Sequence, residues 1–276
     1  MSAPDDANDL RGFHFKRLLR RKLTWVLLAL LTLAVGGGCG ALVSPLVGVA
    51  AGLAALLLGI GIVFAIADSH AADSFFETYA AAKNLTLSGR AALAPATPLL
   101  RKGDERYATR SLAGEIAPGI EGSLVLFTYE VKTRTSKGGT QTSYYRYTLG
   151  LVEVPECARF VPELYCRQEF GLKALEGLED AFRGSQDRVE FESEALGDKY
   201  EIFANENQDA VWLRQLFAPT FIVWLTESAP KQFGFELVNG TLCCYVNGHK
   251  ESAAELDTVA AATAAVVGRL REEAKE

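Results

Sequence analysis

Residues 23–67 carry no charged side chain over 45 consecutive positions, and they are rich in Leu, Ala, Val and Gly. A helix needs about 20 apolar residues to cross the hydrocarbon core of a bilayer. The run is therefore too long for one crossing and suits two with a tight connection. The expected spans are 23–42 and 47–67, with Ser44-Pro45 in the turn, because proline lacks an N–H and fits a connection better than a helix interior.

The stretch GGGCG, Gly36 to Gly40, offers a competing reading, a lipoprotein or secretory signal ending near Cys39. Such a signal places a larger aliphatic residue three positions before its cysteine, where this chain has Gly36. Cleavage would also leave a second full hydrophobic run, and the preceding segment contains three acids. A helical hairpin accounts for the same residues without these conflicts.

Orientation follows from charge. Residues 1–22 hold six basic side chains, Arg11, Lys16, Arg17, Arg20, Arg21 and Lys22, against Asp5, Asp6 and Asp9. The connecting turn holds none. Lysine and arginine beside helix ends stay in the cytoplasm, so both termini are expected there. Trp25 sits at the depth where an indole ring favours the interface. Gly36-x-x-x-Gly40 and Gly48-x-x-x-Gly52 let helix backbones approach closely, within the hairpin or between copies. Neither span holds Asp, Glu, Lys, Arg or His, the groups that proton relays and ion pathways require. That weighs against a transporter.

The whole chain has a net charge of −6, which leaves −9 for residues 68–276. Phosphate contact needs clustered Lys and Arg, so no nucleic-acid partner is expected. The five cysteines, Cys39, Cys157, Cys166, Cys243 and Cys244, are odd in number and irregularly spaced, as free thiols in a reducing compartment would be.

Beyond the apolar run, 68–88 reads as a juxtamembrane helix with Phe75, Phe76 and Tyr79 in a stripe and Gly89 as its stop. Residues 90–105 read as a polar, proline-containing loop. EGSLVLFTYEVKTRTS and TSYYRYTLGLVEVP flank Lys137-Gly138-Gly139 and read as a β-hairpin. Val125, Phe127, Tyr129 and Val131 share one face with Tyr145, Tyr147, Leu149 and Leu151, in a half-buried sheet. The tyrosines, with Arg134 and Arg146, raise the alternative of a ligand surface.

RFVPELYC adds a further strand, and Lys173 to Phe182 has helical periodicity. The segment 187–228 reads as strand, turn, strand and two helical pieces, with Pro219 opening the second. QFGFELVNGTLCCYVNG is a hairpin about Asn239-Gly240. Its register pairs Leu237 with Leu242, Phe235 with Cys244 and Phe233 with Val246 on the core side, leaving Cys243 on the other. Ser252-Ala-Ala-Glu255 is a capping box. It opens a last helix whose stripe, Leu256, Val259, Ala260, Thr263, Val267 and Leu270, closes over the sheet.

No phosphate loop, paired metal-binding histidines or nucleophile elbow is present. No residue is assigned as catalytic, cofactor-binding or metal-binding, and no cofactor is called for. Adjacent strand residues point to opposite faces, so Cys243 and Cys244 do not jointly ligate one metal. Of the histidines, His14 and His70 flank the apolar run and His249 follows the last hairpin. Cys243 and His249 form the one nucleophile–base pair conceivable on paper, without an orienting third group. The acids of EFESEALGD read as a solvated edge.

The stretch from Val189-Glu190-Phe191-Glu192 through Tyr200-Glu201-Ile202-Phe203-Ala204-Asn205 and Leu216-Phe217-Ala218-Pro219 to the Asn-Gly hairpin resembles a bacterial family of uncharacterised membrane proteins. Those chains carry two transmembrane helices near the N-terminus, then a domain of unknown function. The resemblance covers residues 185–250, and this chain departs from it in its Asn-Glu-Asn run. It implies a layout and a membrane address, with no activity to transfer.

The expectation is thus an α+β chain. A basic cytosolic segment (1–22) precedes a two-helix transmembrane hairpin (23–67), a juxtamembrane helix (68–88) and a cytosolic mixed domain (89–276). That domain has antiparallel hairpins and a C-terminal helix. Its partners are the lipid bilayer and a second copy or another protein, in a binding or scaffolding role. The alternatives are a membrane-surface enzyme acting through Cys243 and His249, and a subunit of an oligomeric channel.

Overall fold

The computed structural model describes residues 22–275 apart from 43, 137, 169–185 and 206–207. The periodic segment from Lys173 to Phe182 lies outside the described residues, as do the basic residues before Lys22. The chain divides into two compact units, one reaching to Tyr79 and including Glu251–Ala253, the other made of Ala80–Lys250 and Ala254–Glu276.

The first unit holds helix α1 (Lys22–Leu42) and the greater part of helix α2 (Pro45–Lys83). Ser44 separates them, and its Oγ accepts the Val47 N–H at 3.3 Å. Pro45 is the first residue of α2, where its missing N–H costs nothing, so it opens the helix instead of lying in a turn. The two helices run antiparallel and touch through glycine. A Cβ on Gly36 would stand 3.0 Å from the Gly48 carbonyl oxygen and 3.3 Å from the Gly52 Cα. One on Gly59 would meet Leu28 Cδ2 at 2.5 Å. The small-residue spacing is thus used inside this helix pair.

Within α2, Pro45–Val63 is long and apolar enough to cross a membrane. In α1 the apolar run among the described residues is the shorter Leu28–Gly38. The helix α2 does not stop at 67. It continues through Phe75, Phe76 and Tyr79, whose rings are in contact at 5.0 and 6.1 Å. It ends at Lys83, well before Gly89. Asn84 takes the left-handed conformation (φ 54°), the Leu85 N–H reaches the Ala80 carbonyl at 2.8 Å, and the Asn84 N–H reaches Ala81 at 3.4 Å. This is a Schellman stop with asparagine in the position glycine usually takes.

The second unit is built on a nine-stranded antiparallel sheet in the order β1-β2-β3-β4-β9-β8-β5-β7-β6. The strands are β1 (Thr86–Ser88), β2 (Glu105–Ala117), β3 (Ile120–Arg134), β4 (Thr140–Glu153), β5 (Glu163–Gln168), β6 (Gln186–Arg188), β7 (Tyr200–Asn205), β8 (Gly234–Val238) and β9 (Thr241–Asn247). Both expected hairpins form, though the second ladder ends at Gly234 opposite Tyr245, short of the expected Phe233–Val246 pair. Val125 faces Leu149, Phe127 faces Tyr147 and Tyr129 faces Tyr145. Phe235 faces Cys244 and Leu237 faces Leu242 across Asn239-Gly240, where φ is 50° and 86°. That double positive φ is what a two-residue type I′ turn requires.

The sheet is covered on both faces, where the sequence suggested one. From Leu124 to Glu130 every residue of β3 is buried. One face carries Leu124, Leu126, Gly150, Leu242, Cys244, Phe235 and Leu237. Over it lies the last helix, α7 (Ala253–Glu273), with the expected stripe buried. A Cβ on Gly150 would stand 2.0 Å from Thr263 Oγ1, which fixes how closely this helix sits. Two short helices, α5 (Ala210–Leu216) and α6 (Pro219–Val223), lie beside it. Arg269 of α7 donates to the Leu216 carbonyl at 3.0 Å and to the Gln215 carbonyl, closing the open end of α5.

The opposite face carries Val125, Phe127, Tyr129, Tyr147, Leu149, Cys243 and Tyr245, packed against Leu99 and Leu100. These last two belong to the segment read as a polar loop. It contains a single helical turn, α3 (Pro98–Arg101), and buries Thr97, Pro98, Leu99 and Leu100. The turn 192–199 also holds a helical turn, α4 (Glu194–Gly197), capped by Ser193.

Candidate functional site

The residues with chemical potential in the sequence are spread over both faces of the sheet. Cys243 lies on the tyrosine face, fully buried. His249 lies on the α7 face, where its Nε2 is 3.2 Å from Thr128 Oγ1 and 3.1 Å from the Phe127 carbonyl oxygen. A carbonyl only accepts, so Nε2 carries the proton. Burial holds the His249 pKa below its usual value, against the Phe127 bond that raises it, with Arg146 and Arg110 adding to the fall. The sheet therefore separates Cys243 from His249, and the paper pairing of nucleophile and base does not assemble.

Cys157, Cys166, Cys243 and Cys244 are buried and free. Burial, then the Glu236 carboxyl, pushes Cys243 up, and burial also raises Cys166 and Cys244. Cys157 is pushed up to about 11. Each is kept away from the thiolate form that reacts. Among the described residues no group of three His, Cys, Asp or Glu side chains stands close enough to hold a metal ion.

The tyrosines and arginines do not share a surface either. Tyr129 stacks on Tyr145 at 4.8 Å and on Tyr147 at 6.1 Å, and Tyr147 meets Tyr245 edge-on at 6.1 Å. Arg146 pairs with Thr128 on the other face, and Arg134 is exposed at the end of β3. The acids of EFESEALGD border a shallow groove of about 280 Å³ with Arg188, Glu190, Glu194 and Asp198 on its walls.

A different residue, Glu236, forms the centre of the only cluster of buried polar groups that the tyrosine face assembles among the described residues. It sits on β8 and is 5 % exposed. Strand pairing places it opposite Tyr165 and Cys243. Its Oε2 accepts the Leu99 N–H at 2.9 Å, so the carboxyl holds the start of the α3 turn. Burial raises its pKa, and the Leu99 N–H, Thr97, Lys102 and Arg167 partly offset this by favouring the ionised form. Arg167 is itself held by Glu201 at 2.9 Å.

Lys102 follows α3 and is the second titratable group of the cluster. Burial lowers its pKa to about 8, against the pull of Glu236. Its Nζ is buried without a hydrogen-bond partner, 5.9 Å from the Tyr129 ring centroid and so at the outer limit of a cation–π contact. Thr97 and the Tyr129 hydroxyl are also buried, the first against Glu236 and Cys243 and the second against Tyr147. Sequence reading missed Glu236, Lys102 and Thr97. The one available signal was an acid at an inward position of a strand whose neighbours are Phe, Leu and Val.

Chemically the cluster is an enclosed mixture of one carboxyl, one ammonium and hydroxyls. It can hold the 91–102 segment to the sheet and take up or release a proton when that segment moves. Comparison of the chain with family models, with curated proteins and with solved structures returns no match.

Proposed function

We propose that this chain is an integral protein of the bacterial inner membrane. In this reading α1 and the first part of α2 cross the bilayer as a hairpin. Both termini are cytoplasmic, and the α+β unit is a binding or scaffolding module. The observation that carries the reading is the belt of exposed aliphatic residues on the hairpin. Leu30, Leu33, Leu46, Val49, Leu53, Leu57 and Leu58 are 58–81 % exposed. A contiguous apolar surface of that kind is stable in lipid and a liability in water. α1 has 21 residues. At about 1.5 Å rise each it reaches the thickness of a hydrocarbon core of about 30 Å. Five basic residues before α1, with Lys22 at its first position, and none in the turn support the inward placement of the termini. The resemblance at 185–250 supports the same address.

The binding or scaffolding role is supported by where the reactive side chains lie. A buried Cys243 with a raised pKa and a His249 committed to the other face of the sheet weigh against an enzyme acting through that pair. A fluorescent-protein fusion at the C-terminus is expected to be fluorescent in cells, and a phosphatase fusion at the same point inactive. An active phosphatase fusion would overturn the topology. Affinity purification of the full chain from native membranes is expected to recover a stoichiometric protein partner. Recovery of the chain alone would contradict the scaffolding role.

A further inference from the structure

We infer that residues 91–102 form a lid over the tyrosine face, one that opens while the sheet and α7 remain folded. The inference does not depend on the membrane topology. It follows from how differently the two faces of one sheet are covered.

The α7 cover is a helix of 21 residues. Its stripe includes Leu256, Val259, Val267 and Leu270, each no more than 1 % exposed. Arg269 ties it to α5. The 91–102 cover buries four consecutive residues, from Thr97 to Leu100, and is tied to the sheet by the Leu99 N–H donating to Glu236 and by Arg106 of β2 donating to the Arg101 carbonyl. It also traps a polar atom of its own, Lys102 Nζ, without a hydrogen-bond partner. A buried polar group without a partner destabilises the closed form, and water satisfies it when the segment lifts. Segments with little apolar burial and unsatisfied groups open below the free energy of global unfolding.

The ends of the segment are suited to hinging. Ala91 and Ala108 exchange two backbone bonds, of 3.1 and 2.8 Å, and the Asp104 N–H is held by the Glu130 carbonyl at 2.8 Å. Between these anchors the segment is bound to itself. Arg101 donates to the carbonyls of Pro95 at 2.8 Å and Ala96 at 3.1 Å, so the piece lifts as a body. Opening uncovers Glu236, Cys243 and the rings of Tyr129, Tyr147 and Tyr245.

Adjacent cysteines provide the test, because Cys243 lies under the lid and Cys244 under α7. Two full-length variants in detergent micelles would each keep one of these thiols, with the remaining cysteines changed to alanine. Each is treated with dithiobis(nitrobenzoate) over a range of low denaturant. The Cys243 thiol is expected to react at least tenfold faster than the Cys244 thiol, at a rate flat in denaturant below the unfolding transition. Equal rates that both climb with denaturant would overturn the inference. Lys102→Met, which keeps the stem and removes the buried ammonium, is expected to slow Cys243 labelling several-fold. An unchanged or faster rate would count against the lid's strain being its cause. Hydrogen exchange on the unsubstituted chain guards against variants that fail to fold. The amides of residues 99–102 are expected to exchange at least tenfold faster than those of 259–267, and equal protection would overturn the lid.

Discussion

Glu236 is the residue whose environment departs furthest from what its type prefers. A carboxyl on a central strand, with Leu237 beside it at 0 % exposure, is stable only because a backbone N–H and nearby cations meet it. Its folded pKa is raised from the usual 4.5. The sign follows: this group's contribution to stability is fully present below the usual carboxylate pKa and is lost as pH rises through the folded pKa. Glu236→Gln keeps an acceptor for Leu99 and removes the titration. The variant is expected to gain stability relative to the parent as pH rises from 4 to 8, read by denaturant unfolding at each pH. A difference flat in pH would show that Glu236 does not titrate differently on folding. Nothing local in the sequence marks this residue as a centre. Its partner Leu99 stands 137 positions away, and only the folded sheet brings them together. Asn84 was missed for a related reason. Its left-handed stop is available to asparagine but typical of glycine, and Gly89 stood close by as the commoner signal.

At the level of elements, what was legible was what short range decides. The Asn239-Gly240 turn demands positive φ twice, and its flanking strands alternate, so the hairpin and its register could be read directly. The β3–β4 hairpin and the stripe of α7 were readable on the same terms. β2 was not, because its alternation is weak and its pairing with β3 is broken by irregularities between Ala108 and Arg110 and between Glu115 and Ala117. The double-sided burial of β3 was hidden because Leu124 to Tyr129 is apolar throughout except Thr128, a run that fits a buried strand without naming its covers. Two contacts that position α7 carry predictions. Gly150→Ala places a methyl on Thr263 and is expected to cost about 1–3 kcal/mol. Thr263→Ala in the same chain should recover part of that loss, as a double-mutant cycle would report. Arg269→Ala strips the α5 carbonyls of their donors and is expected to cost about 1–3 kcal/mol in thermal or denaturant unfolding. Arg269→Lys should restore little of it, because a single ammonium cannot reproduce the fork.

On the scale of the whole molecule, two kinds of surface occur in one chain. The helices of the first unit turn large aliphatic side chains outward, while the second unit buries its own under α7 and the 91–102 segment. The uncharged run of 45 residues makes that division legible in the sequence alone. The glycine pairs refined it: Gly36, Gly48 and Gly52 are where the two helices meet, and this accounts for the spacing without a second copy. The polar centre of the second unit was not legible, since it is assembled from strands and a loop far apart in sequence.

The proposed two crossings would place the connection between α1 and α2 on the face of the membrane opposite both termini. Ser44→Cys with Cys39→Ala, treated in intact spheroplasts with a membrane-impermeant maleimide, tests this most directly. Labelling at position 44 in sealed cells, with none at a cysteine added to the C-terminus until the membrane is broken, is the predicted result. Protection at position 44 until lysis would contradict the two-crossing hairpin.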